Sequence, residues 1–298
     1  MHTSPFPRII SLIEIIAERE DNLVPLSAFD HAYDELRARW PQSTEERDIA
    51  TPYGRTRVHV HGPADGSPLV LLPGGSATGL VWFANAAALG ARHRVHAVDL
   101  MGDAGRTERR GRPLRNADDL MAWLDAVLDG LGLDHTHLCG HSYGGWLAVR
   151  YALHAPQRVD RLALVDPTQV FAGFRPGYLL RALPHLIRPS EARTRAFLAW
   201  ETAGTHPDET WQRLYALAAT VPGRKIVAGG RPGVAGLRMP VLVVLAERSR
   251  THDAVKVAGL ARRTLPHGEV VLLPGATHHS LPLTEPKQLN DRLLDFLG

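Results

Sequence analysis

A serine hydroxyl becomes a nucleophile when a histidine can take its proton and donors stand ready for the negative charge that its attack creates. Gly140-His141-Ser142-Tyr143-Gly144-Gly145 offers such a serine. The stretch reads G-x-S-x-G-G, follows the apolar Leu138 and Cys139, and runs into Trp146-Leu147-Ala148-Val149-Arg150-Tyr151-Ala152. That is a strand, a very tight turn, and a helix whose early residues are small. Side chains two residues before or after the serine would clash in such a turn, so glycine is required there. The strained turn lifts the hydroxyl clear of the sheet and aims the next backbone N–H and the helix N-terminus at one spot.

The base must come from another part of the chain. Pro274-Gly275-Ala276-Thr277-His278-His279-Ser280-Leu281-Pro282 follows the last apolar strand pattern. A histidine there can swing over the carboxyl ends of the strands, where Ser142 should sit. Other histidines, among them His2, His61, His93 and His185, lack that position and read as ordinary surface residues. No His/Cys/Asp cluster has metal-ligand spacing, and Gly74-Gly75 lacks the Lys and Ser/Thr of a phosphate loop. Neither a metal nor a cofactor is expected.

The elements that must hold these groups alternate. Strand patterns fall at 47–51, 56–61, 69–72, 94–99, 135–140, 161–166, 241–247 and 269–273. Helical patterns fall at 8–20, 27–39, 80–90, 117–131, 144–155, 254–264 and 286–297. Continuous apolar strands between amphipathic helices predict a mostly parallel, doubly wound sheet covered on both faces. The interval 168–239 breaks the rhythm, with helical pieces near 177–188, 190–203 and 208–220 and no strand signal. It reads as a helical insertion between two late strands. The expected organisation is a helical extension over 1–45, a core of 46–167 plus 240–298, and the insertion over 168–239.

Composition narrows the class of partner. The chain has 298 residues, 44% hydrophobic and 22% charged, with a net charge of +3. That is ordinary for a soluble globular protein. Arg106, Arg109, Arg110, Arg112 and Arg115 share one glycine-containing loop, which reads as solvated and gives no reason to expect a nucleic acid. Nowhere do eighteen apolar residues run together, so no membrane span is expected. The apolar run over 9–16 is interrupted by Glu14 and followed by charges, unlike a signal peptide, and the expected place is cytoplasmic. Cys139 is the only cysteine and reads as a small buried thiol.

Taken together, the motifs over roughly 46–298 resemble the α/β-hydrolase fold family, serine esterase and lipase type. They are Leu71-Leu72-Pro73-Gly74-Gly75, Asp99-Leu100-Met101-Gly102-Asp103-Ala104-Gly105-Arg106, the serine turn and the histidine loop. The resemblance implies an α/β-hydrolase fold with a helical cap and an oxyanion hole built by the N–H groups of Gly75 and Tyr143. Pro73 stands where relatives usually carry histidine, a mild departure because backbone groups do this work. Similar sequences read G-H-S-L-P-L-E-x-P in the histidine loop. Matching this to His278-His279-Ser280-Leu281-Pro282-Leu283-Thr284-Glu285-Pro286 favours His279 as the base, while counting from Pro266 through the last strand favours His278.

The acid is less plain. The resemblance puts a carboxylate at position 249, and the chain has Ser249 there. Asp166, closing the strand 161–166, is the preferred replacement, a location from which haloalkane dehalogenases supply theirs. It also reads as a plain Asp-Pro strand end. Glu247 would point to the other side if its strand continues, and Asp253 is more simply a helix N-cap. Asp99 and Asp103 are expected to fix turns.

The expectation is a cofactor-independent carboxylesterase using Ser142, His279 and Asp166 on a small ester-like substrate with an apolar part. Phe171, Phe174, Tyr178, Leu179, Leu183, Phe197, Trp200, Trp211 and Tyr215 of the insertion suggest an apolar site, though most of them suit the insertion's own core. Lactone or C–C bond hydrolysis and acyl transfer are alternatives on the same triad. A weakly catalytic ligand sensor is a further one, motivated by Ser249.

Overall fold

Leu69-Val70-Leu71-Leu72 is apolar at every position because its strand is covered on both sides. Val70 and Leu72 belong to one core cluster, Leu69 and Leu71 to another on the opposite face, and all four are fully buried. Each such side chain contributes about 1.5–3 kcal/mol of burial. The computed structural model describes residues 26–202, 205–284 and 286–298. The helical pattern at 8–20 lies outside them.

The strands are β1 (Glu45–Thr51), β2 (Gly54–His61), β3 (Ser67–Leu72), β4 (His93–Val98), β5 (Glu108–Arg109), β6 (Thr136–His141), β7 (Val159–Val165), β8 (Val241–Ala246) and β9 (Glu269–Leu273). They form one sheet in the order β1-β2-β4-β3-β6-β7-β8-β9, with the short β5 beside β2. The β1–β2 and β2–β4 pairs are antiparallel, and every pair from β4 to β9 is parallel. From β3 the chain first moves to β4 on one side and then returns to place β6 on the other. The loops leaving β3 and β6 therefore diverge at a switch point, where such sheets leave a crevice at their carboxyl ends.

Helices α1 (Leu26–Arg37), α2 (Phe83–Leu89), α3 (Ala117–Leu131) and α4 (Tyr143–His154) precede the insertion, with α8 (Ala254–Thr264) and α9 (Pro286–Leu297) after it. Helices α3, α4 and α8 pack into one core cluster, while α1, α2 and α9 pack into the other. Asn116 and Asp119 cap the start of α3 reciprocally, and Gly132 ends it in the left-handed conformation (φ 73°).

Between β7 and β8 lie α5 (Pro176–Ile187), α6 (Glu191–Glu201) and α7 (Glu209–Ala218), with no strand among the described residues. Helix α7 packs on α6 and on α1. Ion pairs of Arg39 with Asp208 (2.8 Å) and Arg213 with Glu35 (2.9 Å) tie α1 to the insertion. Of the histidines read as surface residues, His93 and His185 are instead buried. No helix among the described residues is long and apolar enough to cross a membrane.

Candidate active site

Ser142 sits between β6 and α4 with φ 54° and ψ −116°, a combination that residues bearing a side chain rarely adopt. Close packing holds it there. A Cβ at Gly140 would lie 2.2 Å from the Gly144 carbonyl oxygen, and one at Gly144 would lie 2.4 Å from that of Leu72. The two glycines flanking the turn are thus demanded by backbone approach, as their spacing predicts. The Ser142 N–H donates to the Val165 carbonyl (3.0 Å), locking the turn to the end of β7.

Asp166 follows directly after β7, has a positive φ of 40°, and is fully buried. It collects donors from several elements. Oδ1 accepts from the Ala246 N–H (2.9 Å) and His252 Nε2 (3.1 Å), and Oδ2 accepts from the Ser249 hydroxyl (2.9 Å) and His278 Nδ1 (2.6 Å). Burial pushes its pKa up, but the charge and hydrogen bonds of His252 and the bond from His278 outweigh it and hold the carboxyl well below its usual range. Ser249, which stands where the carboxylate was sought, donates its hydroxyl to Asp166.

Since ionised Asp166 only accepts, the Nδ1 of His278 carries the proton and Nε2 is left as an acceptor. The Ser142 Oγ lies 2.8 Å from that Nε2 and donates to it. Burial depresses the His278 pKa, and Asp166 only partly restores it. The ring is therefore neutral at pH 7 and able to take a proton. His141, inside the serine motif, donates from Nε2 to the His278 carbonyl oxygen (2.9 Å). Its own pKa is lowered to about 3 by burial, so it serves as a neutral donor.

The histidine that the structure brings to Ser142 is thus His278, whereas sequence matching favoured His279. His279 is turned away, with Nδ1 donating to Glu201 Oε2 (3.0 Å) and Nε2 3.2 Å from the Tyr215 hydroxyl. The reason is backbone geometry. Neighbouring residues in this tight loop project in different directions, and the two rings stand 81° apart. Of the other candidate acids, Asp253 caps α8 by accepting from the Lys256 N–H (3.0 Å), and Glu247 accepts from the Gly275 N–H (2.9 Å). Neither is bonded to His278.

Opposite the histidines, Pro73-Gly74-Gly75-Ser76 leaves β3. Asp103 accepts from the Ser76 N–H (2.8 Å), and Arg224 reaches from the insertion to Asp103 (2.6 Å) and to the Ser76 hydroxyl (2.7 Å). Asp99 accepts from the N–H groups of Gly79 (2.7 Å) and Arg106 (2.8 Å) and from the Tyr33 hydroxyl (2.7 Å). Both aspartates fix turns, as expected. Gly75 and Ser142 line one small cavity of about 10 Å³ with Ala77, Val81, Trp211 and Tyr215, room for about one water. Tyr143 opens α4, so its N–H is among those a helix leaves unpaired. Its side chain packs against the core, donating to the Val227 carbonyl (2.7 Å) and stacking on Trp146.

Residues 69–292 match the model of the alpha/beta hydrolase family, well over half of the chain. The chain belongs to the alpha/beta hydrolase family. It is 29% identical over 282 residues to carboxylesterase YbfK of Bacillus subtilis, covering 90% of this chain and 93% of that one. The crystal structure of that carboxylesterase superposes with a TM-score of 0.83 at 27% identity, over 90% of this chain and 96% of the other. The naproxen esterase (carboxylesterase NP) of the same organism gives 0.84 at 26% identity, over 94% of this chain and all of the other.

As an alpha/beta hydrolase, the chain presents Ser142 on the strand–turn–helix elbow of that fold. Three partners of the site escaped sequence reasoning. His252 and Glu201 carry no motif, although Glu201 has no cation one helical turn before it, where Phe197 and Leu198 stand. His141 lay in view inside the serine motif, but nothing local signals that its ring reaches the histidine loop.

Proposed function

We propose that this protein is a carboxylic ester hydrolase in which Ser142 is the nucleophile, His278 the general base and acid, and Asp166 the orienting carboxylate. The observation that carries it is the unbroken chain of hydrogen bonds from buried Asp166 through neutral His278 to Ser142 Oγ, at 2.6 and 2.8 Å. Ser142 Oγ attacks the acyl carbonyl carbon while its proton passes to His278 Nε2. The oxyanion is held by the N–H groups of Gly75 and Tyr143. Collapse of the tetrahedral species breaks the bond to the leaving alcohol, which takes its proton from His278. Water then adds to the acyl-enzyme, giving a proton to His278; collapse breaks the acyl–Oγ bond, His278 returns the proton to Ser142 Oγ, and the carboxylic acid departs.

Residues 168–239 act as a cap over the core formed by 46–167 and 240–298, with 1–45 as an extension. Trp211 and Tyr215 of α7 line the cavity beside Ser142, which supports an ester with an apolar part. The sensor alternative rested on a missing carboxylate at position 249, and Asp166 removes that motive. The likeness to carboxylesterases over most of the chain supports the same reading.

A fluorophosphonate probe and a panel of p-nitrophenyl esters test it. The expected result is labelling at Ser142 and ester hydrolysis, both abolished in Ser142→Ala with the fold intact. Loss of a triad member costs on the order of 10⁴-fold in kcat or more. Esterase activity surviving in pure Ser142→Ala would overturn the assignment.

A further inference from the structure

Glu201 closes α6, and its carboxylate is fully buried. Its donors come from one short loop. Oε1 accepts from the His278 N–H (3.1 Å), and Oε2 from the His279 N–H (3.1 Å), the His279 Nδ1 (3.0 Å) and the Thr277 hydroxyl (3.4 Å). A carboxylate out of water is tolerated only where donors replace its hydration. Burial pushes the Glu201 pKa up, yet the attraction and hydrogen bonds of His279, with further help from the loop, leave it lowered. The group is an anion at neutral pH.

On its far side, the His279 ring meets Tyr215 of α7 through Nε2 (3.2 Å). Glu201–His279–Tyr215 therefore repeats, one residue along, the carboxylate–imidazole–hydroxyl order of Asp166–His278–Ser142. The outer members of this second chain both belong to the inserted helices. His278 itself is held at three points. Its N–H is held by Glu201, its carbonyl by His141, and its Nδ1 by Asp166. Only Nε2 is left for chemistry.

Resting on the hydrolase reading above, we propose that Glu201 is a positioning residue for the base. Through the backbone N–H groups of His278 and His279, and with the His279 ring as a strut, it delivers the histidine loop to Ser142 from the inserted helices. The placement of those helices and the placement of the base are then one event.

The test compares wild type, Glu201→Ala and Glu201→Gln by kcat and KM on a p-nitrophenyl ester, by the rate of fluorophosphonate labelling, and by thermal melting. Displacing a catalytic group by about 1 Å can cost on the order of 10²-fold, and Glu201→Ala is expected to lose about that much in kcat and in labelling rate at nearly unchanged KM. Glu201→Gln keeps an acceptor oxygen for one N–H and should regain part of the loss. If Glu201→Ala does not fold, the glutamine variant decides, with a fall in kcat and labelling at constant KM supporting the proposal. Wild-type kcat and labelling in a folded variant, or an effect confined to KM, would overturn it. A wild type that neither labels nor hydrolyses would instead refute the hydrolase reading itself.

Discussion

His278 and His279 are consecutive, their ring centroids are 5.0 Å apart, and each is bonded to a different buried carboxylate, Asp166 for the first and Glu201 for the second. The two rings are therefore not interchangeable. His278→Ala is expected to be as inactive as Ser142→Ala, because His279 is tied to Glu201 and Tyr215 and cannot turn to the serine. His279→Ala should keep a measurable fraction of kcat, since the bonds of His278 to Asp166 and Ser142 survive. Steady-state kinetics on one ester decides, and the reverse order of damage would transfer the role of base to His279.

Asp166→Asn should lower kcat by two to four orders of magnitude (about the loss known for acid-to-amide changes in such triads). Ser249 offers a way back. Its hydroxyl already sits 2.9 Å from Asp166 Oδ2, the oxygen that faces His278. The double variant Asp166→Asn with Ser249→Asp should therefore recover at least part of the lost kcat. Full loss in both, with unchanged melting temperature, would show that position 249 cannot reach the imidazole.

The pH profile carries a sign. As the proposed base, His278 works when neutral, and burial depresses its pKa below the ordinary value of about 6.5. Activity should thus persist below pH ~6.5 and fall only as pH drops through the depressed value, the acid limb of kcat/KM reporting the free enzyme. Asp166 opposes that depression, so Asp166→Asn should move the limb to still lower pH while reducing its height. A wild-type acid limb above that ordinary value would contradict the neutral, buried base.

Gly140→Ala places a methyl where only 2.2 Å separates it from the Gly144 carbonyl oxygen. Both partners are backbone in the turn that carries Ser142, so the clash cannot be relieved by a rotamer. The expected cost is at least the ~1–3 kcal/mol typical of overpacking, read as a lowered melting temperature, together with loss of fluorophosphonate labelling. A normal melting temperature with normal labelling would mean the elbow has slack that its close contacts deny.

Strands and the serine turn were legible in the sequence because their causes are local. Leu69 to Leu72 are apolar on both faces because the strand is central, and Gly140 and Gly144 are spaced by a turn only glycine can build. The histidine bonded to Ser142 was not legible for a physical reason. No periodicity governs Thr277 to His279, and each ring is oriented by a carboxylate far away in the chain, Asp166 for His278 and Glu201 for His279. The proposed acid was half legible. Asp166 stood at a strand end, but its bonds to Ser249 and His252 come from the loop after β8.

Cys139 lies in β6 between Leu71 of β3 and Ala163 of β7, without exposed surface, and burial pushes its thiol pKa far up. Thiol reagents act on exposed thiolate, so the native molecule is silent to them. Any cysteine placed on the outside becomes the sole address for a maleimide dye or a nitroxide. The wild-type chain is in this respect already the clean background that spectroscopy usually has to engineer. One label at exposed Leu180 on α5 and another at exposed Val255 on α8 would make the distance between the inserted helices and the sheet domain directly measurable.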